Sequence, residues 1–307
     1  MLIKESHADV QTTANGKESS MSATKGFLCF TRPSPDIPMR EMGPLDRDAD
    51  EARFLEGLRP AAYHEWRVGG GIVTGPVARF ARQIAGQGYI VAAPSSYHDF
   101  TGPEPLAYDV PGTDQGNQWK ITKTLESYDE DSNRTVDYLL SLPTCTGRIG
   151  ATGMCLGGHL ALRASLDPRI TASVCYFPTD IHSRTLGPNE GPNTSATAPS
   201  PDSPHTIDQL SRIRGEVALI FGVKDTHVPD GGRDLIRLKM REAGVTFSFH
   251  EFAWAQHAFI RDELSKGRYD PAVSKACFEV LLELFGRVLK TELGEKDGGP
   301  QQIEHVC

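Results

Sequence analysis

A cysteine lies where the sequence predicts a sharp turn from a strand into a helix. The run Gly153-Met154-Cys155-Leu156-Gly157-Gly158 follows the strand-like residues 147–152. Glycine on either side of the cysteine allows unusual backbone dihedrals and a close approach between strand and helix. A thiol at the start of a helix generally has a lowered pKa and a raised reactivity. The pattern predicts that Cys155 is a nucleophile, and the alternative, a chance turn around a buried cysteine, depends on whether partners exist.

An acid and a histidine follow the cysteine, each just after a predicted strand. Asp225 comes after the buried-strand pattern of residues 216–222, and His257 comes after the alternating run 245–252. Open α/β sheets place their chemistry at this carboxyl edge. The order nucleophile, acid, histidine is that of α/β-hydrolases. The sequence therefore predicts a catalytic triad in which His257 accepts the proton of Cys155 and Asp225 orients His257.

Other residues near the same strand ends compete for the acid and base roles. Asp230 opens the next predicted helix and has the position of an N-cap. His227 could be a turn residue, and His250 falls inside a strand pattern. Because Asp225 and His257 fit both the chain order and the strand-end positions, we favour these two.

With these residues in place, the chain resembles the dienelactone hydrolase family of α/β-hydrolases from about residue 26 to about residue 293. The resemblance implies a hydrolase. It depends on five segments of the sequence, which are the cysteine turn at 153–158, Gly222-Val223-Lys224-Asp225 with Pro229, His257-Ala258-Phe259 with Arg261, Tyr63-His64-Glu65-Trp66, and the strand-like residues 88–94.

The resemblance also implies roles for further residues of the site. Glu65 would contact the resting thiol and take part in its activation. The backbone N–H of Trp66, together with that of Leu156, would hold the oxyanion of the reaction. Arg261, four residues after the histidine, would bind a substrate carboxylate, and Tyr97 matches a tyrosine of the substrate-binding region.

One departure from the family pattern leaves the substrate open. The family's second carboxylate-binding arginine has no counterpart in residues 95–100. A thiolate is a better leaving group than an alkoxide, so a cysteine nucleophile suits substrates whose own leaving groups are stabilised anions. We therefore expect a small-molecule substrate, an enol lactone or an activated carboxylic ester, with a negative charge that Arg261 would bind.

Three alternatives to a lactone hydrolase remain open. The chain could be a carboxylesterase with a different substrate range. It could be a catalytically silent family member that binds a ligand in the same pocket. It could also be a thiol sensor in which Cys155 pairs with Cys175 after oxidation.

Strand-like and helix-like segments alternate along the chain, which predicts the α/β-hydrolase fold, a mostly parallel central sheet with helices on both faces. Residues 101–120 are rich in proline and glycine and are expected to form a long loop. The expected strands are 27–30, 60–65, 88–94 and 172–177 besides those that precede the triad residues, and the expected helices are 76–87, 126–142, 155–166, 230–243 and 271–290.

Length and composition favour one domain inside the cell. The 307 residues fit a single hydrolase domain at 26–293 with a flexible insertion around 187–204, between a disordered tail at 1–25 and a loose tail at 294–307. Six cysteines without paired spacing indicate a reducing compartment. No segment is typical of a secretory signal or a membrane span. We therefore expect a cytoplasmic monomer or small homo-oligomer.

The charge and the motifs also exclude several function classes. The net charge of −8 argues against binding to nucleic acids or anionic membranes. No cluster of cysteine and histidine has the sequence spacing of a metal site, so no metal and no cofactor is expected.

Overall fold

The computed structural model describes residues 22–23, 27–33, 75–101, 106–107, 109–143, 145–188, 203–262 and 267–290, with the backbone alone for residues 22–23 and 27–33. Its centre is a six-stranded sheet with the order β3-β2-β5-β6-β7-β8. These strands are β2 (Phe27–Pro33), β3 (Ile90–Ala92), β5 (Cys145–Met154), β6 (Ile170–Tyr176), β7 (Glu216–Gly222) and β8 (Phe247–Phe252), while β1 (Ser22–Ala23) and β4 (Leu106–Ala107) form a separate pair.

The sheet is mostly parallel, as the sequence predicts. Strand β2 is antiparallel to its neighbours β3 and β5, whereas β5, β6, β7 and β8 pair in parallel. The carboxyl ends of β5, β7 and β8 therefore lie along one edge. These are the strands that lead into the cysteine, the acid and the histidine.

Helices cover both faces of the sheet because the central strands are apolar on both sides. Alternate residues of β7 belong to opposite halves of the core, with Leu219 and Phe221 in one and Ala218 and Ile220 in the other. One half is completed by α3 (Leu125–Ser141), α4 (Leu156–Ala164) and α5 (Asp230–Glu242), and the other by α1 (Gly75–Ala85) and α6 (Pro271–Phe285). The predicted helices at these places are confirmed, and none of the described helices is long and apolar enough to cross a bilayer.

The expectation of a long loop at residues 101–120 is wrong, because a helix, α2 (Val110–Thr122), occupies much of it. The Asp109 carboxylate caps its first turn by accepting from the Gly112 backbone N–H at 2.8 Å. The Tyr97 hydroxyl donates to the Gly116 carbonyl at 2.8 Å, and the Trp119 ring packs on Phe100. Its glycine and proline residues are poor helix formers, so the sequence does not predict this helix. Its cap and its contacts with the loop after β3 stabilise it.

Several of the segments predicted from the sequence are described only in part. Within the expected tail, Ser22 and Ala23 pair with β4, which differs from a disordered segment at these two residues. The predicted strand at 27–30 is confirmed and extends to Pro33. The predicted strand at 60–65, most of the insertion at 187–204 and the tail at 294–307 lie outside the described residues, so these expectations stay predictions.

Candidate active site

Cys155 lies in a strained turn between β5 and α4. Its φ of 58° and ψ of −121° are unusual for a residue with a side chain. A Cβ at Gly153 would come within 2.2 Å of the Gly157 carbonyl oxygen, and one at Gly158 within 2.6 Å of the Tyr176 carbonyl oxygen. The Cys155 backbone N–H donates to that same Tyr176 carbonyl at 3.0 Å. The predicted strand–turn–helix is therefore present, and its glycines are required by close backbone packing.

The loops that carry the acid and the histidine are joined to each other. After β7, the Lys224 backbone N–H donates to the Ala255 carbonyl at 2.9 Å. A Cβ at Gly222 would come within 2.2 Å of the same carbonyl oxygen. This close contact brings Asp225, which follows β7, next to His257, which follows β8.

Asp225 is buried, and its two carboxylate oxygens accept from different groups. Oδ2 lies 2.8 Å from His257 Nδ1, and Oδ1 accepts from the backbone N–H of His227 at 2.8 Å. Burial alone would raise the pKa of Asp225, but hydrogen bonds from His227 and His257 outweigh it and lower the pKa well below its ordinary value. Asp225 is thus a carboxylate that orients the imidazole of His257.

His257 is buried and connects Asp225 to Cys155. Since Nδ1 faces Asp225, Nε2 is the nitrogen available for the side-chain hydrogen bond with Cys155. Burial would lower the pKa of His257, but the charge of Cys155 and hydrogen bonds with Asp225 and Cys155 raise it to about 9. With a pKa of about 9, His257 is protonated at neutral pH, beside the Cys155 sulfur. The three residues predicted from separate strand ends are brought into one hydrogen-bonded chain.

The competing residues have other roles in the structure. Asp230 forms an ion pair with Arg233 in the first turn of α5, and the N-cap is Pro229, so the predicted cap at Asp230 is wrong by one position. The His250 ring lies 3.1 Å from the Ser248 hydroxyl within β8. His227 is part of the site and not only a turn residue, because its ring stacks on the His257 ring with the centroids 4.1 Å apart.

Backbone strain is concentrated around this site. Besides Cys155, positive φ angles occur at Phe177, Asp180 and Arg184 after β6 and at Ala258, the residue after His257. The Phe177 ring meets the His257 ring edge-on at a centroid distance of 5.0 Å. Residues in such conformations persist only where surrounding contacts hold them, and they are common at active sites.

The residues expected to hold an oxyanion are described only in part. Leu156 is the first residue of α4, where a backbone N–H has no partner within the helix. Its N–H thus has no helical partner, and its role in holding the oxyanion stays a prediction. Trp66 and Glu65 lie outside the described residues, so their roles stay predictions.

The two residues expected to bind substrate differ in their availability. Tyr97 is fully buried and its hydroxyl donates to the Gly116 carbonyl, so in this structure it anchors α2 rather than facing solvent. Burial, together with the nearby charges of Tyr128, Cys155 and Asp180, raises the pKa of Tyr97 well above its ordinary value. Arg261 is half-buried, and its backbone N–H donates to the Ala258 carbonyl at 3.0 Å. The arginine is thus close to the histidine turn, whereas Tyr97 contributes through packing.

Three groups at the site could in principle coordinate a metal ion. Ligand atoms of Asp225, His227 and His257 lie within 4.8 Å of one another, although nothing in the sequence spacing indicates such a cluster. Hydrogen bonds already account for this closeness, because both Asp225 oxygens accept N–H groups from the same neighbours. We therefore interpret the cluster as an orienting network for His257.

Comparisons with known proteins agree with the fold. The model of the dienelactone hydrolase family matches residues 64–289. A carboxymethylenebutenolidase homologue from Saccharomyces cerevisiae is 53% identical over 239 residues, which cover 76% of this chain and 83% of the yeast protein. One from Synechocystis is 22% identical over 209 residues, with 68% and 78% covered.

A solved structure of a dienelactone hydrolase homologue from Klebsiella pneumoniae has a similar fold. It superposes with a TM-score of 0.56 at 20% identity, over 72% of this chain and 84% of that one. The family model spans the cysteine turn, the acid loop and the histidine loop, and the yeast relative matches most of the chain at high identity. The chain belongs to the dienelactone hydrolase family.

Proposed function

We propose that this protein hydrolyses enol lactones or activated carboxylic esters through a thioester on Cys155. The observation that carries the proposal is the hydrogen-bonded chain from Cys155 through His257 to Asp225 at a strained turn. A nucleophile, a base and an orienting carboxylate in this order can transfer an acyl group.

In the first half-reaction, the Cys155 thiolate attacks the carbonyl carbon and a tetrahedral oxyanion forms. The N–H of Leu156 donates to that oxygen, and the family resemblance adds the N–H of Trp66; such donors are worth about 3–4 kcal/mol each in the transition state. The C–O bond to the leaving group then breaks as His257 gives its proton to the leaving oxygen. The product is a thioester on Cys155 and a neutral His257.

In the second half-reaction, His257 takes a proton from water, which attacks the thioester carbonyl. The C–S bond breaks, the carboxylic acid leaves, and the thiolate–imidazolium pair is restored. Asp225 keeps Nδ1 of His257 protonated in both steps, so that Nε2 performs every proton transfer.

The substrate class follows from the nucleophile and from the charge near it. A stabilised enolate or a nitrophenolate leaves far more readily than an alkoxide, so the tetrahedral intermediate goes forward more easily with enol lactones and activated esters than with alkyl esters. Arg261, close to the histidine turn, would bind a carboxylate of the substrate as the family resemblance implies. A carboxylesterase with a different substrate range is the second candidate, because residues 95–100 carry no arginine.

A thiol-sensing role is less well supported than hydrolysis. The resolving cysteine it would need, Cys175, is fully buried in β6, and burial raises its pKa far above the ordinary value. A thiol that stays protonated is a poor partner for disulfide formation.

Steady-state kinetics test the proposal. Turnover of a cis-dienelactone is compared with that of short p-nitrophenyl esters, for the wild type and for Cys155→Ser and Cys155→Ala. We expect turnover of the lactone or the esters in the wild type and a loss of at least about a thousandfold in Cys155→Ala. A Cys155→Ala variant with wild-type turnover would overturn the proposal, and ester turnover without lactone turnover would favour the carboxylesterase.

A further inference from the structure

We propose that His227 is a positioning residue that holds and shields the imidazole of His257. This inference rests on the proposed function, because it assigns His227 a part in the proton transfers of that reaction. His227 lies two residues after Asp225 in the loop that follows β7.

Three contacts connect His227 to the Asp225–His257 pair. Its backbone N–H donates to Asp225 Oδ1 at 2.8 Å. Its ring Nδ1 lies 3.7 Å from the same oxygen. Its ring also stacks on the His257 ring, with the centroids 4.1 Å apart and the planes inclined by 26°. One residue therefore contacts both the carboxylate and the imidazole that the carboxylate orients.

The difference in exposure shows what the stacked ring covers. The His227 side chain is 54% exposed, whereas those of His257 and Asp225 are 8% and 0% exposed. The exposed ring of His227 thus covers one face of the buried His257 ring. We expect it to limit rotation of the His257 ring about its Cβ–Cγ bond and to slow the access of water to the Nδ1–H that faces Asp225.

His227 acts on Asp225 through its hydrogen bonds and on His257 through the ring stack. Among the residues that the structure describes, Asp225 contacts both rings and Cys155 hydrogen-bonds the His257 ring. Lys224, on the same loop, lies instead over the Trp254 ring at 5.6 Å. The role requires a flat ring more than a charge, so phenylalanine should replace histidine better than alanine does.

The test combines His227→Ala, His227→Phe and the control Thr226→Ala, an exposed neighbour on the same loop. The first measurement is the low-field proton resonance of His257 Nδ1–H, assigned by its loss in Asp225→Asn. We expect a sharp resonance in the wild type, in His227→Phe and in Thr226→Ala, and a resonance broadened by exchange with water in His227→Ala. This spectrum needs no substrate, so it tests the positioning role even if the wild type turns over no ester or lactone.

The second measurement is turnover of whichever ester or lactone the wild type hydrolyses, with the thermal midpoint of each variant. Since stacked aromatic pairs are worth a modest free energy, we expect kcat to fall about tenfold in His227→Ala with KM nearly unchanged. His227→Phe should recover most of that loss. A His227→Ala variant with a wild-type resonance, or one that loses only thermal stability, would overturn the role.

Discussion

At the scale of single residues, the site depends on two opposite effects on His257. Burial disfavours the imidazolium, while the charge of Cys155 and the hydrogen bonds with Asp225 and Cys155 favour it, and the net result is a pKa of about 9. Asp225 contributes because its own hydrogen bonds keep it ionised. The proposed mechanism starts from this protonated His257 beside a Cys155 thiolate.

The first prediction concerns the alkaline limb of activity. The pKa of His257 in the folded protein is raised from the ordinary 6.5 to about 9. Below that pH, His257 carries the proton that it delivers to the leaving group, and it loses this proton as the pH rises through about 9. We expect kcat/KM for an alkyl ester, whose alkoxide needs that proton, to fall through this range.

A p-nitrophenyl ester is the matched control, because its leaving group needs no proton and its alkaline limb should be shallower. The Asp225→Asn variant should lose the limb near pH 9, since the carboxylate that supports the imidazolium is gone. A wild-type alkyl-ester limb near pH 6.5 would contradict the raised pKa of His257.

At the scale of secondary-structure elements, the turn between β5 and α4 is held by close backbone packing. Gly153 lies against Gly157, and Gly158 lies against the Tyr176 carbonyl of the neighbouring strand β6. Any Cβ at these positions would force apart the strand and helix that position Cys155. The strain at Cys155 therefore depends on glycine at its neighbours.

The second prediction compares two glycines. A Cβ at Gly153 meets the Gly157 carbonyl oxygen at 2.2 Å, whereas one at Gly231, in the first turn of α5, meets nothing within 4 Å. We expect Gly153→Ala to lower the free energy of unfolding by about 3 kcal/mol or more and to abolish turnover. Gly231→Ala should be neutral or stabilising by up to about 1 kcal/mol.

Urea unfolding and ester turnover measure both variants. Equal effects of the two substitutions would show that the turn between β5 and α4 does not depend on glycine at position 153.

Elements with local signals could be predicted from the sequence, and those fixed by distant contacts could not. The turn at Cys155 and the strands before Asp225 and His257 carry glycine spacing and apolar patterns of their own. Helix α2 could not be predicted because Pro111, Gly112 and Gly116 are poor helix formers, while its anchor is the hydroxyl of Tyr97. The sequence indicates only a possible turn at His227, since ring stacking on His257 has no signature in spacing.

At the scale of the whole molecule, a ring of charges ties the loop after β3 to α2 and α3. The Lys123 ammonium lies 2.6 Å from Asp99 and 2.8 Å from Asp131. His98 contacts the other oxygens of the same two carboxylates, at 3.2 Å and 2.7 Å. Because the Lys123 side chain is fully buried, this network holds the loop after β3, which carries Tyr97, against α2 and α3.

The third prediction tests this network against an ordinary surface pair. Lys123→Met leaves Asp131, which is 11% exposed, without its buried cation, and we expect the free energy of unfolding to fall by about 3 kcal/mol. Lys239 pairs with Glu242 on the exposed side of α5, and Lys239→Met should change it by about 0.5 kcal/mol or less. Chemical unfolding of both variants at neutral pH checks the difference, and similar losses would refute a special role of Lys123.

The central claim is that Cys155 carries the acyl group. Its most direct test is acid quenching of the protein during turnover of a p-nitrophenyl ester, followed by intact-mass and peptide mass spectrometry. We predict one added acyl group, located on Cys155 and removed by hydroxylamine. Turnover with Cys155 never acylated, or an acyl group on another residue whose removal stops turnover, would contradict the account.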